Sequence, residues 1–104
     1  MKLFAETADP TGLINEIRQL IQLGQIRTWV ENTQGFFTHN GDNNRWLFKA
    51  FFQPLKVQGG VVFELLPPQS GGLDVDTIGV YAGAWSSALI RHFGNKIQSI
   101  VMRA

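Results

Sequence analysis

Apolar and polar residues change period several times along this chain, and each change marks an element. Met1 to Glu6 alternates, with Leu3 and Ala5 set against Lys2, Phe4 and Glu6, which is the two-residue period of a strand. From Asp9 the period lengthens. Leu13, Ile14, Ile17, Leu20 and Ile21 lie on one helical face, and Asn15, Arg18, Gln19 and Gln22 hold the other. Asp9 can cap the free amides of that helix, and Pro10 suits its first turn, where a missing N–H is no loss. Gly24 is the expected stop, because glycine accepts the left-handed conformation that ends helices.

Alternation then returns. Gln25 to Asn32 reads as a strand, followed by a turn at Thr33-Gln34-Gly35 and a short strand over Phe36 to His39. Asn40-Gly41-Asp42-Asn43-Asn44 is the strongest turn signal, since Asn, Asp and Gly tolerate positive φ. Arg45 to Gln53 predicts the longest strand, ended or demoted by Pro54. One side of it carries Trp46, Phe48, Ala50 and Phe52 and is expected in the core. The other carries Arg45, Leu47, Lys49, Phe51 and Gln53. Gly59-Gly60 turns into a strand over Val61 to Leu66, and Pro67 to Gly72 is a loop by composition. Asp76-Thr77 can cap a helix reaching Phe93, with Gly94 as its stop, although Val75, Thr77, Ile78 and Val80 would also suit a short strand ahead of it. Lys96 to Arg103 closes the chain as a strand.

The order is β-α-β-β-β-β-α-β. It predicts a single α+β domain over residues 1–104, with a mainly antiparallel sheet of five to six strands and two helices on one face. That order is ferredoxin-like, and an element order carries no function with it.

Composition narrows the function classes. Hydrophobic residues make up 44% and charged residues 16% of the chain, against about 25% charged in an ordinary domain. That balance opposes disorder and leaves little charge to keep a bare surface soluble. The net charge of +1 is spread over scattered bases, so the clustered footprint of a nucleic-acid binder is missing. Without cysteine there is no disulfide framework and no thiolate metal site. No apolar stretch reaches the ~18–20 residues of a membrane span, and the first residues turn acidic too soon for a secretion signal. The expected setting is the cytoplasm.

The chemistry-bearing candidates are few. Leu47, Phe51, Val62 and Leu66 would stud the face of the sheet away from the helices, an apolar patch of the kind that meets a partner. On the second helix Gly79, Gly83 and Ser87 form a row of small residues, so Gly83 joins the interface candidates. Each glycine costs about 1 kcal/mol against alanine, which a close approach should offset. Tyr81, His92 and His39 are the polar groups that could serve an apolar ligand pocket. Their spacing matches no metal-binding motif, so neither a metal nor another cofactor is expected. Asp74 and Asp76 are accounted for as helix-start residues. Ser86-Ser87 lacks a nucleophile context, and the paired glycines lack the lysine of a phosphate loop. Arg45, Lys49 and Phe51 on one strand face would allow single-stranded nucleic acid to stack. The leading expectation is a small non-enzymatic interaction protein, a homodimer or a module docked on a protein partner. A small enzyme or ligand-binding domain and a single-strand nucleic-acid binder are the rivals.

Overall fold

Why the chain doubles back where it does is plain from its helix ends. In a computed structural model describing residues Met1–Ala104, helix α1 (Pro10–Gln22) begins where the Asp9 carboxylate accepts the Gly12 amide at 3.0 Å. It ends before Gly24, whose φ of +74° is the left-handed conformation expected of it. Leu13, Ile14 and Ile17 are buried, as their spacing requires. Helix α2 (Val75–Phe93) starts two residues earlier than expected. Asp74, not Asp76, is its cap and accepts the Thr77 amide at 2.7 Å, so no strand precedes the helix. Tyr81, Trp85, Leu89 and Phe93 form its buried stripe.

The strands are β1 (Lys2–Glu6), β2 (Trp29–Glu31), β3 (Phe37–His39), β4 (Phe51–Val57), β5 (Gly60–Leu66) and β6 (Ser99–Arg103). They form one antiparallel sheet in the order β2-β3-β4-β5-β1-β6. The α+β class, the six strands and the two helices are as expected. In this spatial order the β4–β5 hairpin stands between β3 and β1, and β1 pairs with β5 and β6.

Residues 41–49 differ most from expectation. The alternation of Trp46, Phe48 and Ala50 imitates a strand, but the backbone makes successive tight turns instead. Asp42, Asn43 and Asn44 all have positive φ, a conformation Asp and Asn tolerate better than other side chains. Amides of Arg45, Leu47 and Lys49 each donate to a carbonyl three residues back. Arg45, Leu47 and Lys49 therefore stand outside β4 and share no strand face with Phe51. Phe48, expected in the core, is 58% exposed. Pro54 lies inside β4. Strand β3 pairs with β4 only at Phe37 and Phe52, so beyond Phe52 that edge of β4 needs no donor from a proline.

Both helices pack on one face of the sheet. Leu3, Ala5, Phe52, Val61, Phe63 and Leu65 meet α1 and the α2 stripe there. Trp85 is the centre of an aromatic cluster, with ring centroids 4.6 Å from Trp29, 5.2 Å from Phe37 and 5.3 Å from Phe63. Arg18 ties α1 to the β2–β3 hairpin: it donates to Glu31 at 2.6 Å and to the Gly35 carbonyl at 3.3 Å.

Candidate interaction surface

With both helices on one face, the pleat sends every second strand residue to the other, where no helix covers it. The register shows what stands there. Leu55 on β4 is opposite Val62 on β5, Val62 is opposite Phe4 on β1, and Phe4 is opposite Val101 on β6. Residues directly opposite each other share a face. These side chains therefore make one unbroken apolar row across β4, β5, β1 and β6. Leu55 and Val101 are 39% and 44% exposed at its ends, and Val62 and Phe4 are half-buried in its middle. A Cβ at Gly60 would come within 2.2 Å of the Ala5 carbonyl oxygen and 2.8 Å of the Phe4 ring, so only glycine leaves room for both.

One polar and one mixed row flank the apolar one. On one side are Gln53, Glu64, Lys2 and Arg103, with Lys2 Nζ 4.0 Å from Glu64. On the other are Val57, Gly60, Glu6 and Ser99, and the Ser99 hydroxyl donates to Glu6 at 2.9 Å. Beyond the first of these, Phe51 pairs with Leu66 at the far end of the hairpin.

The expected patch of Leu47, Phe51, Val62 and Leu66 is thus divided. Val62 belongs to the row. Phe51 and Leu66 sit together in a separate concavity of about 490 Å³ with Phe36, Phe48, Pro67 and Pro68, where the Phe48 and Phe51 rings stack at 6.3 Å. Leu47 is off the sheet, in the turns before β4. Phe4, Leu55 and Val101 are the row residues that sequence reasoning missed. Phe4 alternates correctly with Leu3 and Ala5, so its outward direction was legible. That Leu55 and Val101 align with it depends on the register of strands distant in sequence.

Gly83 and Gly79 are exposed on α2, and a Cβ at either would meet nothing within 4 Å. No part of the chain makes the close approach that would offset their cost. Val75 and Ile90 are also exposed on this helix, at 83% and 64%.

Tyr81 and His39 are brought together, with ring centroids 6.0 Å apart, but inside the core. The Tyr81 hydroxyl donates to the Trp46 carbonyl at 2.5 Å and lies 3.4 Å from the His39 amide that donates to it. The Nδ1 of His39 meets the Thr28 carbonyl at 2.8 Å. His92 is half-buried in the last turn of α2, against Phe93. None of the five principal concavities is lined by Tyr81, His39 or His92. No group of three His, Asp or Glu side chains is placed to hold a metal ion, and no helix is long and apolar enough to cross a membrane. No family model, curated protein or solved structure matches the chain.

Proposed function

We propose that this is a non-enzymatic interaction protein that works as a homo-oligomer through the outer face of its sheet. The observation that carries the reading is the Leu55–Val62–Phe4–Val101 row, which crosses four strands with nothing of the chain laid over it. Contiguous apolar surface of this kind marks an interaction site, while singly scattered apolar residues do not. The low charge content supports the same reading, since part of the surface is then not required to face water.

Light scattering at micromolar concentration tests it. A multiple of 11.6 kDa is expected, and Leu55→Glu with Val101→Glu should reduce it to a folded single chain. Both positions are exposed in the isolated chain, so the substitutions spare the core while placing unpaired charge in the contact. A single chain in the unsubstituted protein overturns the homo-oligomer.

A second reading has one specific observation behind it. The concavity of Phe36, Phe48, Phe51, Leu66, Pro67 and Pro68 also presents Gln34, Gln69 and Ser70 and no ionisable group, which suits a small uncharged ligand. Shifts of the Phe48 and Phe51 amide resonances on adding an uncharged aromatic probe would support it. Saturating probe that leaves both unmoved removes it.

A further inference from the structure

Resting on the reading of the outer sheet face as a contact surface, we infer that its occupant is a second copy of this chain, packed face to face about a two-fold axis that runs along the Leu55–Val62–Phe4–Val101 row. Among the two-folds centred on Phe4, the charges on β1 select the axis. Lys2 and Glu6 stand on the same face two places either side of Phe4, and both are exposed. Rotation about the row keeps each strand over its own copy and reverses its direction. Phe4 then meets the partner's Phe4, Lys2 meets the partner's Glu6, and Glu6 meets the partner's Lys2.

The flanking rows agree with this placement. The row Gln53, Glu64, Lys2, Arg103 falls on the partner's row Val57, Gly60, Glu6, Ser99. The two basic groups of the first approach the one acid of the second. Glu64 falls opposite a glycine and keeps its own partner, Lys2, at 4.0 Å. No like charges are opposed anywhere along the face. Packed sheets lie about 10 Å apart, with strands rotated by roughly 30°, a separation that long Lys and Glu side chains span from the two sides.

The other two-fold that would centre on Phe4 runs along β1, and it fails twice. It sets Lys2 against the partner's Lys2 and Glu6 against the partner's Glu6. It also leaves Leu55 in water, because β6 is the edge strand next to β1 and nothing of the partner lies beyond it to meet β4. Of the two-folds centred on Phe4, only rotation about the row buries the whole row against itself. A two-fold along the strands between β5 and β1 would set Lys2 against the partner's Glu64 and Glu6 against a glycine, so finding that Lys2→Glu weakens the dimer while Glu6→Lys leaves it unchanged overturns the axis. The broad face of the molecule, 36 × 31 Å, has room for the roughly 800 Å² that each partner of a standard interface covers.

Charge exchange tests the axis. Lys2→Glu and Glu6→Lys are made separately, each checked for unchanged fold by circular dichroism, and the dimer is measured by light scattering and by native mass spectrometry of isotope-labelled mixtures. Each variant alone should raise the dimer Kd by about tenfold or more, because each opposes like charges twice. An equimolar mixture of the two should recover the original Kd as a mixed dimer, and Lys2→Glu with Glu6→Lys in one chain should recover it as a homodimer. If both single variants dimerise as well as the original and mix at random, the axis is overturned. The contact face stands in that case provided Leu55→Glu with Val101→Glu still gives single chains. If that pair leaves the dimer intact, or no dimer forms at all, the reading of the face falls and the axis with it.

Discussion

The Thr38 hydroxyl on β3 lies 3.0 Å from the Tyr81 hydroxyl on α2, inside the core. This contact is the middle of a chain in which every proton has a place. The Phe48 amide donates to Thr38 Oγ1 at 3.1 Å, the Thr38 hydroxyl donates to Tyr81, and Tyr81 donates to the Trp46 carbonyl. The irregular turns at 41–49 are thereby fastened to a strand and a helix by two hydroxyls.

Removing the Tyr81 hydroxyl should loosen those turns before anything else. Tyr81→Phe keeps the ring and strands the Trp46 carbonyl and the His39 amide, at a cost of about 1–3 kcal/mol. In hydrogen exchange the Phe48 amide should lose protection while the α1 amides keep theirs apart from the overall drop. A uniform loss across the chain would mean that the network does not act locally on this segment.

Phe48 and Phe52 should respond in opposite ways. Phe52 is fully buried, with its ring 5.7 Å from Trp85, and Phe52→Ala should cost about 3–5 kcal/mol in denaturant melts. Phe48 is exposed with φ at +62°, a conformation that favours glycine. Phe48→Gly should therefore lose less than ~1 kcal/mol, or gain slightly as the left-handed strain is relieved. A larger loss at Phe48 than at Phe52 would place the wrong ring in the core.

These two phenylalanines also show where the sequence could be read and where it could not. Near β1 and α1, local signals and tertiary demands coincide: alternation at Leu3 and Ala5, a cap at Asp9, a left-handed stop at Gly24. Around Arg45 to Gln53 they conflict. Alternating aromatics describe a strand, but the run of Asp42, Asn43 and Asn44 into left-handed backbone makes the chain coil first, so Phe48 leaves the core while Ala50 and Phe52 keep their expected side. The candidate interaction surface was half legible for a related reason. Val62 shows its direction within its own strand. Its neighbours across the sheet, Phe4, Leu55 and Val101, become neighbours only through pairing between distant strands, which no local pattern records.

Acid should act on the start of α2. The Thr77 backbone amide, then the Thr77 side chain, hold the Asp74 carboxyl below its ordinary value, with a smaller contribution from the charge of Lys49 and a partial opposition from desolvation. A carboxyl lowered in the folded state stabilises fully above its unfolded value, near ~4, and that contribution is lost as pH falls through the lower folded value. Carbon chemical shifts of Asp74 should titrate with a midpoint below that of an unstructured aspartate. Asp74→Asn keeps a capping side chain, so it should leave stability at neutral pH close to the original and flatten the decline below ~pH 4. A midpoint at the ordinary value would remove Asp74 from the acid limb.

Alanine at the α2 glycines separates two surfaces that could each serve assembly. Gly79 and Gly83 carry the penalty of glycine in a helix interior, and within the chain nothing occupies the space beside them. If the sheet face is the contact, that space is open in the dimer as well. Gly79→Ala and Gly83→Ala should then each stabilise the protein by about 0.5–1 kcal/mol through reduced backbone entropy of the unfolded chain. The solution mass should not change. Gly83→Leu, which projects much further, should also leave the mass unchanged and cost little, because an exposed leucine is well tolerated in a helix. If instead a second helix lies against this row, even a methyl group would meet it, since small residues are what allow backbones to approach closely. The alanine variants would then weaken assembly, and Gly83→Leu would abolish it. Light scattering on the three variants, beside Leu55→Glu with Val101→Glu, therefore assigns the contact to one face or the other.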